Sequence, residues 1–413
     1  MLKKIKGNFE LFPNKFWVLM GATFVDQIGN WMLFPFFALY ITDHFSVGMT
    51  QVGILMGIFS LSNLLGRFAG GAFADKFGRK FMLIFGLVVS ASSSLIMAFI
   101  DDLQLFYMTA AIVGLVGSIA GPAQGAMVAD LLPEDKRTEG FGVQRVVMNL
   151  AVTIGPVFGG LLASRSFVWL FIADAVTSII TGMIAAVSLP ETKPEPSVNK
   201  KEETLLDSFK GYRLIARDYA FLGFVAVMIL MNITYMQMNS TLSVYMRDVH
   251  VFPPESFGYL LSMNAMIVVL FQLQMARKVS NYPPMLVMAV GTAFYLVGFS
   301  MFGFVNGLAL FAAAMVIITI GEITVLPVAQ ALVVKFSPED MRGRYMGVWG
   351  LSWTVPSAIA PLLAGVVMDN YNPDWVWYGV GAIAGIAVLG YISLHLQANQ
   401  RFAIEPAAMA ASD

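Results

Sequence analysis

Long apolar stretches, separated by short polar breaks, run the length of this chain. Twelve of them reach the length of about 20 mostly apolar residues that a helix needs to cross a bilayer. They cover residues 16–41, 50–74, 80–100, 104–130, 139–163, 167–188, 219–245, 256–276, 285–304, 308–333, 343–368 and 374–397. None alternates apolar and polar residues, as a membrane barrel strand must. Gly and Pro recur within the runs, which membrane helices tolerate because neighbouring helices satisfy the freed backbone groups. The pattern predicts twelve spanning helices with short loops and one longer connection at residues 190–218.

That connection opens Pro-Glu-Thr-Lys-Pro-Glu-Pro at Pro190, which is stiff and polar. Leu205, Leu206, Phe209, Tyr212, Leu214 and Ile215 then interleave with charges at near-helical spacing. This predicts an amphipathic helix lying on the membrane surface. The expected organisation is an N-terminal half, 1–189, a linker, 190–218, and a C-terminal half, 219–413. The halves repeat at an offset of 205 residues: Pro133-Glu134-Asp135-Lys136-Arg137 matches Pro338-Glu339-Asp340-Met341-Arg342, and the register carries Gly142 onto Gly347, Pro156 onto Pro361 and Gly160 onto Gly365.

Composition supports the membrane reading. The chain is 58% hydrophobic and 12% charged, whereas a soluble domain is about a quarter charged. The formal net charge of −1 gives nucleic acid no electrostatic footprint. Absence of cysteine excludes disulfides, thiolate metal sites and cysteine nucleophiles. The first apolar run is too long for a cleaved signal and is expected to remain as a span. With the N-terminus inside, 21 of the 25 Lys and Arg fall in cytoplasmic segments and only Arg165 and Arg247 outside, with Arg67 and Arg145 within spans. The positive-inside rule therefore places both termini in the cytoplasm.

The break between the second and third runs reads Gly71-Ala72-Phe73-Ala74-Asp75-Lys76-Phe77-Gly78-Arg79-Lys80. It fits Gly-x-x-x-Asp-[Arg/Lys]-x-Gly-Arg-[Arg/Lys] at every position. It thereby resembles the loop signature of the major facilitator superfamily, and the resemblance extends over essentially the whole chain. In that family the aspartate holds one half against a helix N-terminus of the other, and the arginine pairs with an acid at the end of span 4. The resemblance gives these gating roles to Asp75 and to Arg79 with Asp130, with Gly71, Gly78 and Lys80 completing the latch. A carboxylate does favour the positive end of a helix dipole; the plainer alternative is a positive-inside anchor. The matching stretch of the second half, Ala276 to Pro284, has lost the signature.

The fifth run carries Gly142, Ala151, Gly155-Pro156 and Gly159-Gly160. This is similar to the Gly-x8-Gly-x3-Gly-Pro-x2-Gly-Gly motif of the family's drug:proton antiporters, departing only at Ala151. Small residues let helix backbones approach closely, and Gly-Pro permits a bend. The resemblance implies tight packing between the halves; ordinary helix packing is the alternative. An arginine those antiporters often carry in span 4 is Ala110 here. Arg145, a turn from Asn149, is the candidate replacement.

Ionisable residues inside spans are costly and functional by default. Here they are Asp26, Arg67, Arg145, Asp174 and Glu322. Glu322 sits mid-span in Thr319-Ile320-Gly321-Glu322-Ile323-Thr324-Val325-Leu326-Pro327 and resembles the Gly-Glu of a proton-coupled multidrug subgroup. Asp26, followed by Gly29, Asn30 and Pro35, resembles the same branch. Glu322, Asp26 and Asp174 are the proton-coupling candidates; the alternative for each is a carboxyl hydrogen-bonded for packing. Trp31, Phe34, Asn149, Asn232, Tyr235, Trp353 and Arg145 are candidates to line a substrate cavity, since aromatic and flexible side chains adapt to varied apolar ligands.

No phosphate loop or His-Glu-x-x-His motif occurs, and the three histidines (His44, His250, His395) lie near run ends, so no enzyme is expected. The expectation is an all-α membrane protein: twelve transmembrane helices in two pseudo-symmetric six-helix bundles of the major facilitator fold, acting as a proton-coupled exporter of amphiphilic compounds. It is expected to be a monomer in the cell membrane, with a small-molecule substrate and protons as partners, no metal and no cofactor. The alternative keeps the fold and carries a lipid-like or anionic metabolite, with Arg145 as ligand.

Overall fold

The computed structural model describes residues 12–192, 215–338 and 341–398, without the side chains of 67–72, 74, 75, 135, 138, 342 and 343. The amphipathic stretch from Leu205 to Leu214 and the side chain of Asp75 therefore lie outside the described set. Every regular element among the described residues is helical. Eleven of these helices are long and apolar enough to cross a membrane, which makes this a multi-pass membrane protein.

In chain order the α-helices of the described residues are α1 (Asn14–Leu33), α2 (Phe37–His44), α3 (Met49–Phe77), α4 (Arg79–Met97), α5 (Leu103–Ile119), α6 (Gly121–Asp130), α7 (Arg137–Ala163), α8 (Val168–Ser188), α9 (Tyr219–Ser240), α10 (Leu242–Asp248), α11 (Pro254–Val279), α12 (Pro284–Met301), α13 (Leu308–Phe336), α14 (Arg342–Asn370) and α15 (Asp374–Ala398), of which α5 and α6 together make one of the eleven. Three predicted runs are each broken in two. The first is interrupted by the 3₁₀ turn Phe34–Phe36, where Pro35 cannot continue the hydrogen-bond ladder. Its Asp26, Gln27 and Asn30 also dilute α1, which keeps it out of the set of eleven. The fourth run breaks at Ala120, immediately before Gly121-Pro122. The seventh breaks at Thr241, between α9 and α10.

The chain forms two compact units. The first comprises Met1–Lys200, Asn239–Met266 and Pro361–Asp369; the second comprises Lys201–Met238, Ile267–Ala360 and Asn370–Asp413. In the first, α1 packs on α7 and α8, α3 on α5, and α4 on α8. In the second, α12 packs on α13 and α15.

Close approach within the first unit depends on glycine. A Cβ at Gly155 would lie 2.6 Å from the Cβ of Trp31, and one at Gly159 would lie 2.5 Å from the Met32 carbonyl oxygen. One at Gly160 would lie 2.9 Å from Cα of Glu255, so α7 meets α1 on one face and the start of α11 on another. Gly142 departs from the packing role expected of it. Nothing lies within 4 Å of where its Cβ would be, because it sits on an exposed stretch of α7.

Candidate functional site

The sequence of α13 explains how a carboxylate comes to lie inside the second unit. A Cβ at Gly321 would fall 2.6 Å from the Gly291 carbonyl oxygen and 2.8 Å from the Tyr295 ring. Glycine there lets α13 close on α12 and carries the next residue, Glu322, into the interior, where it is 7% exposed. The Tyr235 hydroxyl of α9 donates to Glu322 Oε1 at 3.0 Å. Its ring stands 5.9 Å from that of Tyr295 and edge-on, at 6.1 Å, to that of Trp353 on α14. Asn232, one turn earlier on α9, donates from Nδ2 to the Ser352 carbonyl oxygen at 2.6 Å. Four predicted residues (Glu322, Tyr235, Asn232 and Trp353) thus form one polar and aromatic cluster, Glu322 and Asn232 buried and Tyr235 and Trp353 half-buried. Tyr295 and Ser352 belong to it as well, and nothing in the sequence distinguishes them from other span residues.

A second cluster lies in the first unit, where Asp26 of α1 faces α8. Ser178 of α8 donates to Asp26 Oδ1 at 3.1 Å and lies 3.2 Å from Ser90 Oγ of α4. Ser94, one turn along α4, donates to Asp174 Oδ2 at 2.5 Å. Asp174, one turn before Ser178 on α8, is buried. The two aspartates therefore belong to one serine-lined network, and the i,i+4 pairs Ser90/Ser94 and Asp174/Ser178 were the available signal.

Trp31 and Phe34 stand edge-on at 5.9 Å, and Phe34 is exposed. Arg145 and Asn149 are half-buried on α7, where the Asn149 carbonyl accepts from Thr153 Oγ1 at 2.9 Å.

At the α3–α4 junction, Gly78 adopts φ +100°, a conformation other residues rarely reach. A Cβ there would also fall 2.5 Å from Glu191 Oε2. Glu191 accepts from the backbone N–H groups of Arg79 (2.7 Å), Lys80 (3.3 Å) and Phe81 (3.5 Å), at the N-terminus of α4. Partial burial works against its ionisation, but the N–H groups of Lys80, Arg79, Phe81 and Thr192 outweigh that and hold its carboxyl below the ordinary value. Arg79 Nε lies 3.2 Å from Asp130 Oδ2, which also accepts from Thr192 Oγ1 at 3.1 Å. Lys80 Nζ donates to the Ala186 carbonyl at 2.7 Å. The signature thus meets the start of the linker, a partner that the acid following the sixth run only hints at. Gly71 lies on α3.

At the opposite end of α3, the Asp369 carboxylate accepts from the backbone N–H groups of Met49 (2.9 Å) and Thr50 (2.8 Å). Arg247 reaches Thr42 Oγ1 at 3.0 Å and the Leu39 carbonyl at 3.4 Å.

The family model of the Major Facilitator Superfamily matches residues 19–337 and 252–408. A Na(+), Li(+), K(+)/H(+) antiporter of Planococcus maritimus is 30% identical over 390 residues, covering 88% of this chain and 89% of that protein. The quinolone resistance protein NorA of Staphylococcus aureus is 22% identical over 382 residues, covering 90% of this chain and 95% of that protein. The crystal structure of the nucleoside transporter NupG superposes with a TM-score of 0.81 at 14% identity, covering 92% of this chain and all of the other; at that identity the likeness speaks for the fold alone. These relatives are transporters rather than enzymes, and this chain belongs to the major facilitator superfamily.

Proposed function

We propose that the protein is a proton-coupled antiporter that exports cationic amphiphilic compounds by alternating access of two halves. The observation that carries this reading is the Tyr235 hydroxyl on the buried Glu322 carboxylate, with Tyr295 and Trp353 around it. A carboxylate among aromatic faces suits a lipophilic cation, which the rings attract through their quadrupoles. The same carboxylate takes a proton when the cation leaves. No cofactor is needed: one charge moving through 100 mV is worth about 2.3 kcal/mol. Relatives named as a proton antiporter and a quinolone resistance protein point the same way.

In this reading α1 and α2 together supply a twelfth span and the halves 1–189 and 219–413 are six-helix bundles, joined by the linker 190–218. The charge bias puts both termini in the cytoplasm. The Glu191–Arg79–Asp130 end of the first unit is then cytoplasmic and the Asp369–Met49 end external. Asp75 serves the cytoplasmic latch, and the Asp26–Asp174 network is a second place for a proton. The test is purified protein in liposomes with an imposed pH gradient. Transport of tetraphenylphosphonium or ethidium that is driven by the gradient in wild type and loses that drive in Glu322→Gln supports the proposal; gradient-independent transport by wild type, or a Glu322→Gln variant that behaves as wild type, defeats it.

A second reading is exchange of an alkali cation for protons. The 30% identical relative named for Na(+), Li(+) and K(+) favours it, because the match spans 88% of this chain.

A further inference from the structure

The repeat at an offset of 205 residues carries α3 onto α11, and the two helices open at matching residues, Met49 and Pro254. Their contacts within the first unit match as well. A Cβ at Gly53 of α3 would lie 2.9 Å from the Pro361 carbonyl carbon of α14. One at Gly258, the matching residue of α11, would lie 3.2 Å from the Pro156 carbonyl carbon of α7. A Cβ at Gly365 of α14 would lie 2.6 Å from the Thr50 nitrogen, and one at Gly160, its match on α7, 3.5 Å from the Glu255 nitrogen. The contact of α3 with α14 and that of α11 with α7 are therefore one arrangement made twice, in which small residues let backbone meet backbone.

Polar groups break the equivalence. The Asp369 carboxylate of α14 accepts from the N–H groups of Met49 at 2.9 Å and Thr50 at 2.8 Å, which bolts α14 to α3. The matching residue of α7 is Ser164. Its hydroxyl turns back to the Leu161 carbonyl at 3.0 Å, within its own helix end. On the other side of that contact Pro254 has no N–H to offer. The acid of the first turn, Glu255, belongs to α11 itself, and its buried Oε2 has no partner among the described residues. A third contact, from Arg247 of α10 to Thr42 of α2 at 3.0 Å, joins residues that are themselves 205 apart, so it favours neither side.

We infer that this end of the first unit opens unevenly: α7 parts from α11 first, while the Asp369 bolt keeps α3 on α14 as the pivot. The inference rests on the alternating-access reading, in which this end opens to the outside. The glycine contacts are no tighter at α11 and α7, so packing gives that side no advantage. Hydrogen bonds to an ionised acceptor are roughly twice as strong as neutral ones, and α3 with α14 has two of them. Each corresponds to about tenfold or more in an equilibrium, which decides the order.

The experiment is amide hydrogen–deuterium exchange of the full-length protein in lipid nanodiscs at neutral pH, each rate set against the intrinsic rate of its sequence. The turns compared are Gly53–Met56 of α3 with Gly258–Leu261 of α11, and Leu363–Val366 of α14 with Phe158–Leu161 of α7. The α11 and α7 turns are expected to be less protected than their matches by about tenfold or more, because local opening sets exchange. Asp369→Ser gives α14 the residue that α7 carries, and should bring the α3 and α14 turns down to the protection of α11 and α7. Matching turns equally protected in wild type, or α3 and α14 the less protected, overturn the inference. So does a difference that Asp369→Ser leaves intact. A difference confined to α11, with α7 as protected as α14, is fraying of one helix end and overturns it too. Gradient-driven transport of tetraphenylphosphonium in liposomes separates this from the exporter reading. If transport occurs while matching turns exchange alike, the exporter stands and the uneven opening falls. If the turns differ and Asp369→Ser levels them, but no transport occurs, the exporter falls and the order of opening stands.

Discussion

The carboxylate of Asp369, at the end of α14, caps both Met49 and Thr50 at the start of α3, across 320 residues of sequence. Gly48 leaves the room: a Cβ there would lie 2.4 Å from Asp369 Oδ2. The helix N-terminus presents free N–H groups and positive dipole, and the aspartate answers both. This is the arrangement the loop signature assigns to Asp75 at the other end of the same helix. On the proposed topology Asp369 works on the external side.

Asp369→Asn keeps the shape of the cap and removes its charge, a loss of about 0.3–1 kcal/mol. At the upper figure the open population rises by roughly fivefold. Met49 is 1% exposed, and the chain has no cysteine of its own. Met49→Cys should therefore react slowly with a membrane-impermeant maleimide on intact cells, and several times faster when combined with Asp369→Asn. Equal rates in the two backgrounds would remove Asp369 from the closure.

The glycines of α7 should separate by position. Gly159→Ala drives a methyl group into the Met32 carbonyl and the Phe36 ring, an overpacking that costs about 1–3 kcal/mol. Gly142→Ala meets nothing within 4 Å and should stay within about 0.5 kcal/mol of wild type. Melting temperatures of the two purified variants check this, and a Gly142→Ala protein as unstable as Gly159→Ala would contradict the packing described.

Glu191 gives a pH dependence with a definite sign. Its carboxyl is held below the ordinary value by backbone N–H groups. A depressed folded-state pKa adds stability above the unfolded value, and that stability is lost as pH falls through the folded value. Glu191→Gln should therefore melt below wild type at neutral pH, and the gap should close as pH falls below about 4.3. The group is largely exposed, so solvent screening keeps the neutral-pH difference to about 0.5 kcal/mol. A gap that widens on acidification would contradict this account.

Helices and charges were legible in the sequence because burial in lipid imposes a uniform rule on long segments. Partners across the fold were legible only where a motif named them. The signature pairs Arg79 with Asp130, and their side chains lie 3.2 Å apart. Nothing of the kind joins Asp369 to Met49, or Tyr295 and Ser352 to Glu322, since their contacts depend on how helices distant in sequence pack. Asp26 and Asp174 could be singled out as costly charges, but their common serine network depends on α1, α4 and α8 meeting. The breaks at Pro35 and Gly121-Pro122 were written in the chain, yet an apolar count passes straight through them.

Tyr235 and Glu322 provide a test of whether the hydroxyl acts through the carboxylate. Tyr235→Phe keeps the ring against Trp353 and Tyr295 and deletes one hydrogen bond to a charged group, worth about 1.5–3 kcal/mol. Transport of a lipophilic cation should remain driven by the pH gradient, with kcat/KM lowered about tenfold or more. Glu322→Gln should remove the dependence on the gradient while leaving downhill exchange, because the neutral amide cannot alternate between charge states. If the hydroxyl acts only by orienting the carboxylate, its removal in the Glu322→Gln background should change downhill exchange by less than about twofold, since residues in one hydrogen-bonded pair are not additive. A further tenfold loss in the double variant would give Tyr235 a contact with substrate of its own, and would move the cation-recognising surface from the carboxylate to the ring.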